Sequence, residues 1–294
     1  MSDHSKVIER DASRPYRRFR QCIAPFVFGG TFSHTEGFQI VQGFYLQFGG
    51  GLTFDDTCRI AAEMGFEGYD LASPHAWPTL KKYGLLPTMS HLGAAGTPDG
   101  GIASIDLHER LEKTTRTALQ ECGEFGAPNI VAMTGPAKGQ SLETCADNTV
   151  QFLEKVKSQA EDMNVTICLE NLNSKVDHKG YLFDHVAWGV EVVKRVDSPK
   201  VKLLFDIYHS QVEEGDVVRT LRDNIQWIGH IHTAGNPGRC QIDGSQELNY
   251  AYIAREIERL DYAGFLGHEY FPRSGSDPIA CMRQAYELFD VSRW

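Results

Sequence analysis

The chain has 294 residues, 41% of them hydrophobic, enough for a large core and compatible with one α/β domain. Its 39 acidic and 29 basic residues leave a formal charge of −10, which argues against a nucleic-acid polyanion as the default partner and favours a small molecule. Seven cysteines (Cys22, Cys58, Cys122, Cys145, Cys168, Cys240, Cys281) stand singly with no C-x-x-C pair, as expected of reduced thiols in a cytoplasmic protein. No apolar run approaches the roughly 20 residues that a membrane span needs.

Residues 1–18 are polar, charged and without periodicity, so a flexible tail is expected there. Arg17 and Arg18 ahead of Phe19 and CIAPFVF have the look of a twin-arginine export signal. The apolar part is brief, however, and soon broken by Gly29 and Gly30, so a tail leading into a first strand over Phe19 to Phe28 is the preferred reading. The segment GGTFSHTEGFQIVQGFYLQFGGG, at about 29–51, clusters glycines and phenylalanines and reads as a long inserted loop or hairpin. It could cover a pocket or form a subunit contact.

Beyond it the pattern is regular. Thr53 caps a predicted helix through Met64 that Gly65 stops, and FEGYDLA follows as a strand. A short helix around Trp77 to Tyr83 ends at Gly84, and LLPTMSHLG gives a third strand ending near His91. An amphipathic helix over Ile105 to Phe125, stopped by Gly126, leads into PNIVAMTG; a helix from about Ser141 to Met163 comes next.

Four short apolar runs then each stop on a possible metal ligand: VTICLE at Glu170, VKLLFD at Asp206, WIGHIH at His232 and GFLGHE at Glu269. Helices are predicted after them over Asp184 to Val196, about Asp216 to Asn224, Glu247 to Leu260 and Asp277 to Phe289. Eight strands alternating with eight helices predict a single (β/α)8 TIM barrel over 19–294. A doubly wound open sheet is less favoured: it would not gather those four residues around one axis, and no glycine-rich phosphate turn follows the first strand.

Side chains alternate along a strand, so Cys168 shares a face with Glu170, Leu204 with Asp206, His230 with His232 and Gly267 with Glu269. In a barrel these last inward residues converge at one rim, where such folds carry their chemistry. Three carboxylates and one imidazole are a hard, oxygen-dominated donor set, suited to Mn2+, Mg2+ or Co2+ better than to a structural zinc. Separate salt bridges or helix caps would explain any one of the acids, but explain all four strand ends poorly.

The segments LENLNSKVDHKGY, LLFDIYHSQVEEGD, IGHIHTAGNPGR and ELNYAYIAREIERLDYAGFLGHEY resemble the hydroxypyruvate isomerase family of xylose-isomerase-like barrels, which is related to the ketose 3-epimerases. The resemblance is dense from about Val165 to Arg273 and absent before Leu52. It implies that Glu170 and Glu269 both ligate a divalent metal and exchange protons with the substrate on opposite faces of a planar intermediate. It makes Asp206 a purely ligating aspartate, His232 the fourth ligand, and His209 and Arg239 substrate-binding residues. The implied reaction is hydroxypyruvate to tartronate semialdehyde through a metal-stabilised enediolate.

Some hydroxypyruvate isomerases carry glutamine at the fourth ligand position, so His232 leans toward the epimerase-like variant. A ketose 3-epimerase or a keto-sugar lyase or dehydratase is thus the alternative. A metal-dependent endonuclease on the same barrel is disfavoured by the acidic charge and the lack of a basic groove. The expected partner is a hydroxy-ketone, keto-acid or sugar, and a homo-oligomer is expected. Lys175, just past Glu170, is a candidate contact for an anionic substrate or a solvated loop lysine. His91 and His75 follow predicted strands and are candidates for the pocket wall, as are Trp77 and Phe271, unless the two aromatics pack elsewhere. His230 is expected one layer deeper as an interior histidine, His268 and Tyr270 on the helix side, and Cys168 as core filler.

Overall fold

The computed structural model describes residues 19–28, 30–32, 46–48, 52–90 and 93–290. The expected tail, most of the expected insertion and His91 lie outside the described residues. Eight parallel strands form one sheet in the order β5-β4-β1-β10-β9-β8-β7-β6. They are β1 (Arg20–Ile23), β4 (Gly68–Tyr69), β5 (Leu86–Pro87), β6 (Asn129–Ala132), β7 (Thr166–Glu170), β8 (Val201–Asp206), β9 (Ile228–Thr233) and β10 (Phe265–His268). A separate antiparallel hairpin pairs β2 (Gly30–Phe32) with β3 (Leu46–Phe48).

The outermost strands β5 and β6 meet where the Ser90 N–H donates to the Asn129 carbonyl at 3.0 Å and the Asn129 amide donates to the Thr88 carbonyl at 2.9 Å. Those bonds bring the sheet round on itself, giving the xylose-isomerase-like (β/α)8 barrel that the alternation predicted. The helices, in chain order, are α1 (Phe54–Met64), α2 (Trp77–Lys82), α3 (His108–Phe125), α4 (Leu142–Asp162), α5 (Val186–Val196), α6 (Ile207–Glu213), α7 (Val217–Asn224), α8 (Tyr250–Arg259) and α9 (Pro278–Leu288). None of the described helices is long and apolar enough to cross a membrane.

Local chemistry explains the boundaries. Thr53 and Asp56 form a capping box on α1, and Gly65 ends it in a left-handed conformation at φ 100°. The first strand is shorter than expected, stopping at Ile23, because Pro25 lacks an N–H for the ladder and Pro25–Phe28 turn into a 3-10 helix. β5 is short as well, and one further rung follows it, the Thr88 N–H donating to the Tyr69 carbonyl at 3.2 Å. The short α6 was not anticipated; Asp206 starts it by accepting the His209 N–H at 2.9 Å.

Register decides what faces inward. In the β8–β9 pair the alignment shifts at Leu203/Leu204, an irregularity that aligns Leu204 with His230 and Asp206 with His232. Gly229 passes through it with no side chain, since a Cβ there would lie 2.9 Å from Lys202 Cβ and 3.1 Å from Cys168 Sγ.

The rim at β6 is thickened by residues 93–104, whose Ile102 and Ala103 N–H groups donate to the Met133 and Thr134 carbonyls at 3.0 and 3.1 Å. Gly101 is wedged in that contact, and a Cβ on it would sit 1.9 Å from the Met133 carbonyl oxygen. Backbone cannot swing aside as a side-chain tip does. Gly101→Ala is therefore expected to cost roughly 1–3 kcal/mol of stability, read as a lower midpoint in denaturant unfolding; an unchanged midpoint would refute the tight packing of this rim.

Candidate metal centre and active site

The four strand-end residues singled out in the sequence come together. Glu170, Asp206, His232 and Glu269 are all buried, and each offers a ligand atom within 4.8 Å of the others. The Nδ1 of His232 lies 3.4 Å from Glu269 Oε2 and 3.6 Å from Glu170 Oε1. Two of the group's buried atoms, Asp206 Oδ2 and His232 Nδ1, have no hydrogen-bond partner among the described residues. Such atoms beside two further carboxylates are costly unless a proton or a cation satisfies them. The residues therefore fit a divalent metal, with three carboxylates and one imidazole as donors.

Electrostatics in the absence of a metal reflects that crowding. Burial, reinforced by Glu269 and Glu170 and opposed by Arg239 and His232, pushes the Asp206 carboxyl up. Burial works against ionisation of Glu269 too, but Arg239 and His232 outweigh it and hold that carboxyl below its usual range. For His232 burial disfavours the charged form, while Glu269, Asp70 and Glu170 reverse the balance and raise it well above the ordinary imidazole value.

The ENLN stretch after β7 braces the neighbouring strand. Asn171 accepts the Asp206 N–H at 3.0 Å and donates to the Asp206 carbonyl at 3.3 Å and to Ser210 Oγ at 3.1 Å. The Asn173 amide and its backbone N–H both donate to His209 Nδ1, at 2.7 and 3.2 Å. His209 therefore carries its proton on Nε2, which is buried and without a partner among the described residues. Burial, then Arg239, His178 and His232, drives the His209 pKa well down and keeps the ring neutral.

Arg239 reaches the centre from the loop after β9, its Nη2 donating to Glu269 Oε2 and its Nε left without a partner. The loop is cinched by reciprocal bonds between Gly235 and Cys240 at 2.7 and 3.0 Å, and the Arg239 carbonyl accepts the Phe271 N–H at 2.8 Å. Phe271 is half-buried and stacks on Phe26 with ring centroids 5.2 Å apart, packing against the core. Trp77 also packs in the core: it is buried against Phe125, its indole N–H donating to the Ala72 carbonyl at 2.9 Å.

Other expectations have mixed outcomes. Lys175 points its ammonium at Glu213, 3.7 Å from Oε1, with its side chain 57% exposed. His75 is exposed. His268 is buried on the helix side, between Thr233 Oγ1 at 2.8 Å and Gln21 Oε1 at 3.1 Å, and Cys168 is buried in the core. His230 sits one layer below the centre, bonded to Asp70. Asp70 and His178 were missed. Asp70 lies just past β4, in the FEGYDLA run; burial opposes its ionisation, but His230 and His232 hold its carboxyl far below the usual range. His178 lies in the loop after β7, its ring centroid 5.3 Å from that of His209 and its buried Nε2 unpartnered among the described residues.

A family model described as the xylose isomerase-like TIM barrel matches residues 58–290. The chain belongs to that family. Among its relatives in this barrel family, the chain is 34% identical over 186 residues to a 2-oxo-tetronate isomerase of Cupriavidus necator, covering 62% of this chain and 70% of that protein. It is 28% identical over 228 residues to the hydroxypyruvate isomerase of Escherichia coli, covering 74% of this chain and 87% of the relative. A solved D-psicose 3-epimerase with D-tagatose from Clostridium cellulolyticum superposes with a TM-score of 0.70 at 18% identity, over 94% of this chain and 98% of that one, a likeness that speaks for the shared barrel alone.

The raised carboxyl of Asp206 has a consequence for stability. A group whose folded pKa exceeds its unfolded value of about 4 binds an extra proton in the folded state, so stability falls as pH rises from there through the folded pKa. Asp206→Asn keeps an acceptor for the α6 cap but has no proton to lose. In chelator-treated protein this variant is expected to melt at or above the wild-type temperature at pH 8, with the gap closing toward pH 4, and to lose the thermal stabilisation that Mn2+ gives the wild type. A variant that melts lower than wild type at pH 8 but not at pH 4 would contradict the assignment.

Proposed function

We propose that the protein is a divalent-metal-dependent isomerase of small hydroxylated 2-keto acids, of the type that converts hydroxypyruvate to tartronate semialdehyde. The observation that carries this reading is the meeting of two carboxylates able to move a proton, Glu170 and Glu269, with Asp206 and His232 in one buried group. The isomerase names of the relatives support it. Mn2+ is the proposed ion, with Mg2+ and Co2+ as close seconds on the same donor chemistry.

Glu170, Asp206, His232 and Glu269 would hold the metal. When bound, it supplies the positive charge that makes a proton beside a carbonyl acidic enough to leave. One glutamate takes the proton from the hydroxymethyl carbon and the other delivers a proton to the former carbonyl carbon. The hydroxyl proton passes to the neighbouring oxygen, so the ketone carbon becomes a secondary alcohol, the hydroxymethyl carbon becomes an aldehyde, and no oxidant is consumed. The Nε2–H of His209, buried and without a partner among the described residues, would donate to a substrate oxygen, and the guanidinium of Arg239 would bind the substrate carboxylate. His178 adds a second imidazole beside His209.

His232 as fourth ligand favours a second reading, epimerisation of a neutral ketose. Parallel assays of hydroxypyruvate, a 2-oxo-tetronate and D-psicose with added Mn2+ separate the two, and turnover of the ketose alone would replace the acid-isomerase reading. Glu269→Gln is expected to fold normally yet lose activity by roughly 100-fold or more, together with hydrogen exchange between substrate carbon and deuterated solvent. Retained exchange would refute the paired-glutamate assignment. Arg239→Met is expected to weaken the keto acid by roughly 10- to 100-fold relative to a neutral ketose in kcat/KM, the effect of one charged hydrogen-bond pair; an equal loss on both would assign Arg239 to Glu269 alone.

A further inference from the structure

Beneath the four candidate ligands lies a second buried polar group, built from Asp70, His230, Thr88, Cys22 and Asn129, that the proposed chemistry does not use. We propose that Asp70 is a positioning residue that fixes the imidazole of His232 in the tautomer with a bare Nδ1, and so presents His232 as a metal ligand. The proposal rests on the metal-centre reading given above.

Hydrogen-bond bookkeeping leads there. An ionised carboxylate accepts and cannot donate. Oδ2 of Asp70 lies 2.9 Å from His230 Nε2 and 3.1 Å from His232 Nε2, so in both rings Nε2 carries the proton. In His230 the remaining Nδ1 then accepts, and the Asn129 amide faces it at 3.5 Å. In His232 the remaining Nδ1 has no donor among the described residues and looks instead at Glu269 Oε2 and Glu170 Oε1. With Nε2 committed to Asp70, Nδ1 is the nitrogen left facing those two carboxylates, where either a proton or a cation between them satisfies it, and a metal takes the place of that proton. A carboxylate behind a ligating histidine both orients the ring and makes it a better donor.

Asp70 itself is fixed by the hydroxyl of Thr88 on Oδ1 and the thiol of Cys22, 3.3 Å from Oδ2. Its reach is unusual, because β4 and β9 are not neighbours: β1 and β10 lie between them in the sheet. The contact runs over Gly267 of β10, which pairs in register with His232. A Cβ at Gly267 would lie 2.2 Å from Asp70 Oδ2 and 3.0 Å from His232 Cδ2, so only glycine leaves the carboxylate its path to the imidazole. Asp70 and Gly267 thus act as a pair, one making the contact and the other making room for it.

The test is Mn2+ titration of the chelator-stripped full-length protein, following the free ion by electron paramagnetic resonance, with circular dichroism to confirm folding. Asp70→Ala is expected to weaken Mn2+ binding by roughly 10- to 100-fold, Gly267→Ala to weaken it similarly by displacing the same carboxylate, and Asp70→Asn to weaken it less because one acceptor oxygen remains. Isotope-labelled histidine NMR of the Mg2+-loaded protein adds a signature that a merely structural role would not move: His232 protonated on Nε2 and bare on Nδ1. A folded Asp70→Ala with wild-type affinity, or a wild-type His232 protonated on Nδ1, would overturn the proposal. If Asp70→Ala does not fold, Asp70→Asn decides, and wild-type affinity in it with an unaltered His232 spectrum overturns the proposal equally. A wild type that binds no Mn2+ sinks this inference and the metal-centre reading together, whereas one that binds Mn2+ but isomerises nothing sinks the proposed reaction alone.

Discussion

The constraint on which the rest depends is charge balance in a dry place. Glu170, Asp206 and Glu269 are all buried with ligand atoms within 4.8 Å of one another. Two like charges about 4 Å apart repel by about 4 kcal/mol even at the fairly high effective dielectric of a protein surface, an appreciable share of a domain's whole stability. Arg239 neutralises one of the three. With His232 neutral, two negative charges remain, which is the charge of one divalent cation. The uplifted Asp206 carboxyl and the raised His232 imidazole are how the same residues answer that imbalance when protons alone are available.

The barrel makes such a concentration of charge tolerable by distributing the cost over separate strands. Each candidate ligand sits at or just past the tip of a different strand, and each is held by bonds that do not involve the others. Asn171 straps the backbone of Asp206, Asp70 takes the back of His232, and the Gly235 to Cys240 loop carries Arg239 to Glu269. The interior below is packed to support this, with Cys168, Leu204 and His230 filling the layer under the rim. Loops beyond the tips, such as the one bearing His178, remain free to define the substrate.

The cluster of Glu170, Asp206, His232 and Glu269 was legible in the sequence because two simple signals coincided: an apolar run with a period of two, and an acid or imidazole at its end. The helix caps were legible for a similar reason, since Thr53, Asp56 and Gly65 act within one turn of chain. Asp70 was not, although it too stands just past a strand tip. Its partner lies 162 residues away with two strands in between, and the contact depends on the register that sets Gly267 level with His232. Nothing local to FEGYDLA reveals such a path. His178 escaped because loop histidines have no periodicity to betray their direction. The early end of β1 follows from Pro25, whose missing N–H stops the ladder inside an otherwise apolar run.

Arg239 shows how the fold accepts local cost for the sake of the centre. Its φ of 50° places a long side chain in the left-handed region, which costs a non-glycine residue about 1 kcal/mol. What over-determines that conformation is the reciprocal Gly235 to Cys240 pairing on one side and the bond from Phe271 on the other, both independent of the guanidinium. Backbone, not the ion pair, therefore sets where the arginine stands. The side chain can then shift its hydrogen bonds between Glu269 and an arriving carboxylate without the loop moving. Under the proposed function, that division of labour would let one residue both hold Glu269 ionised and bind an acidic substrate.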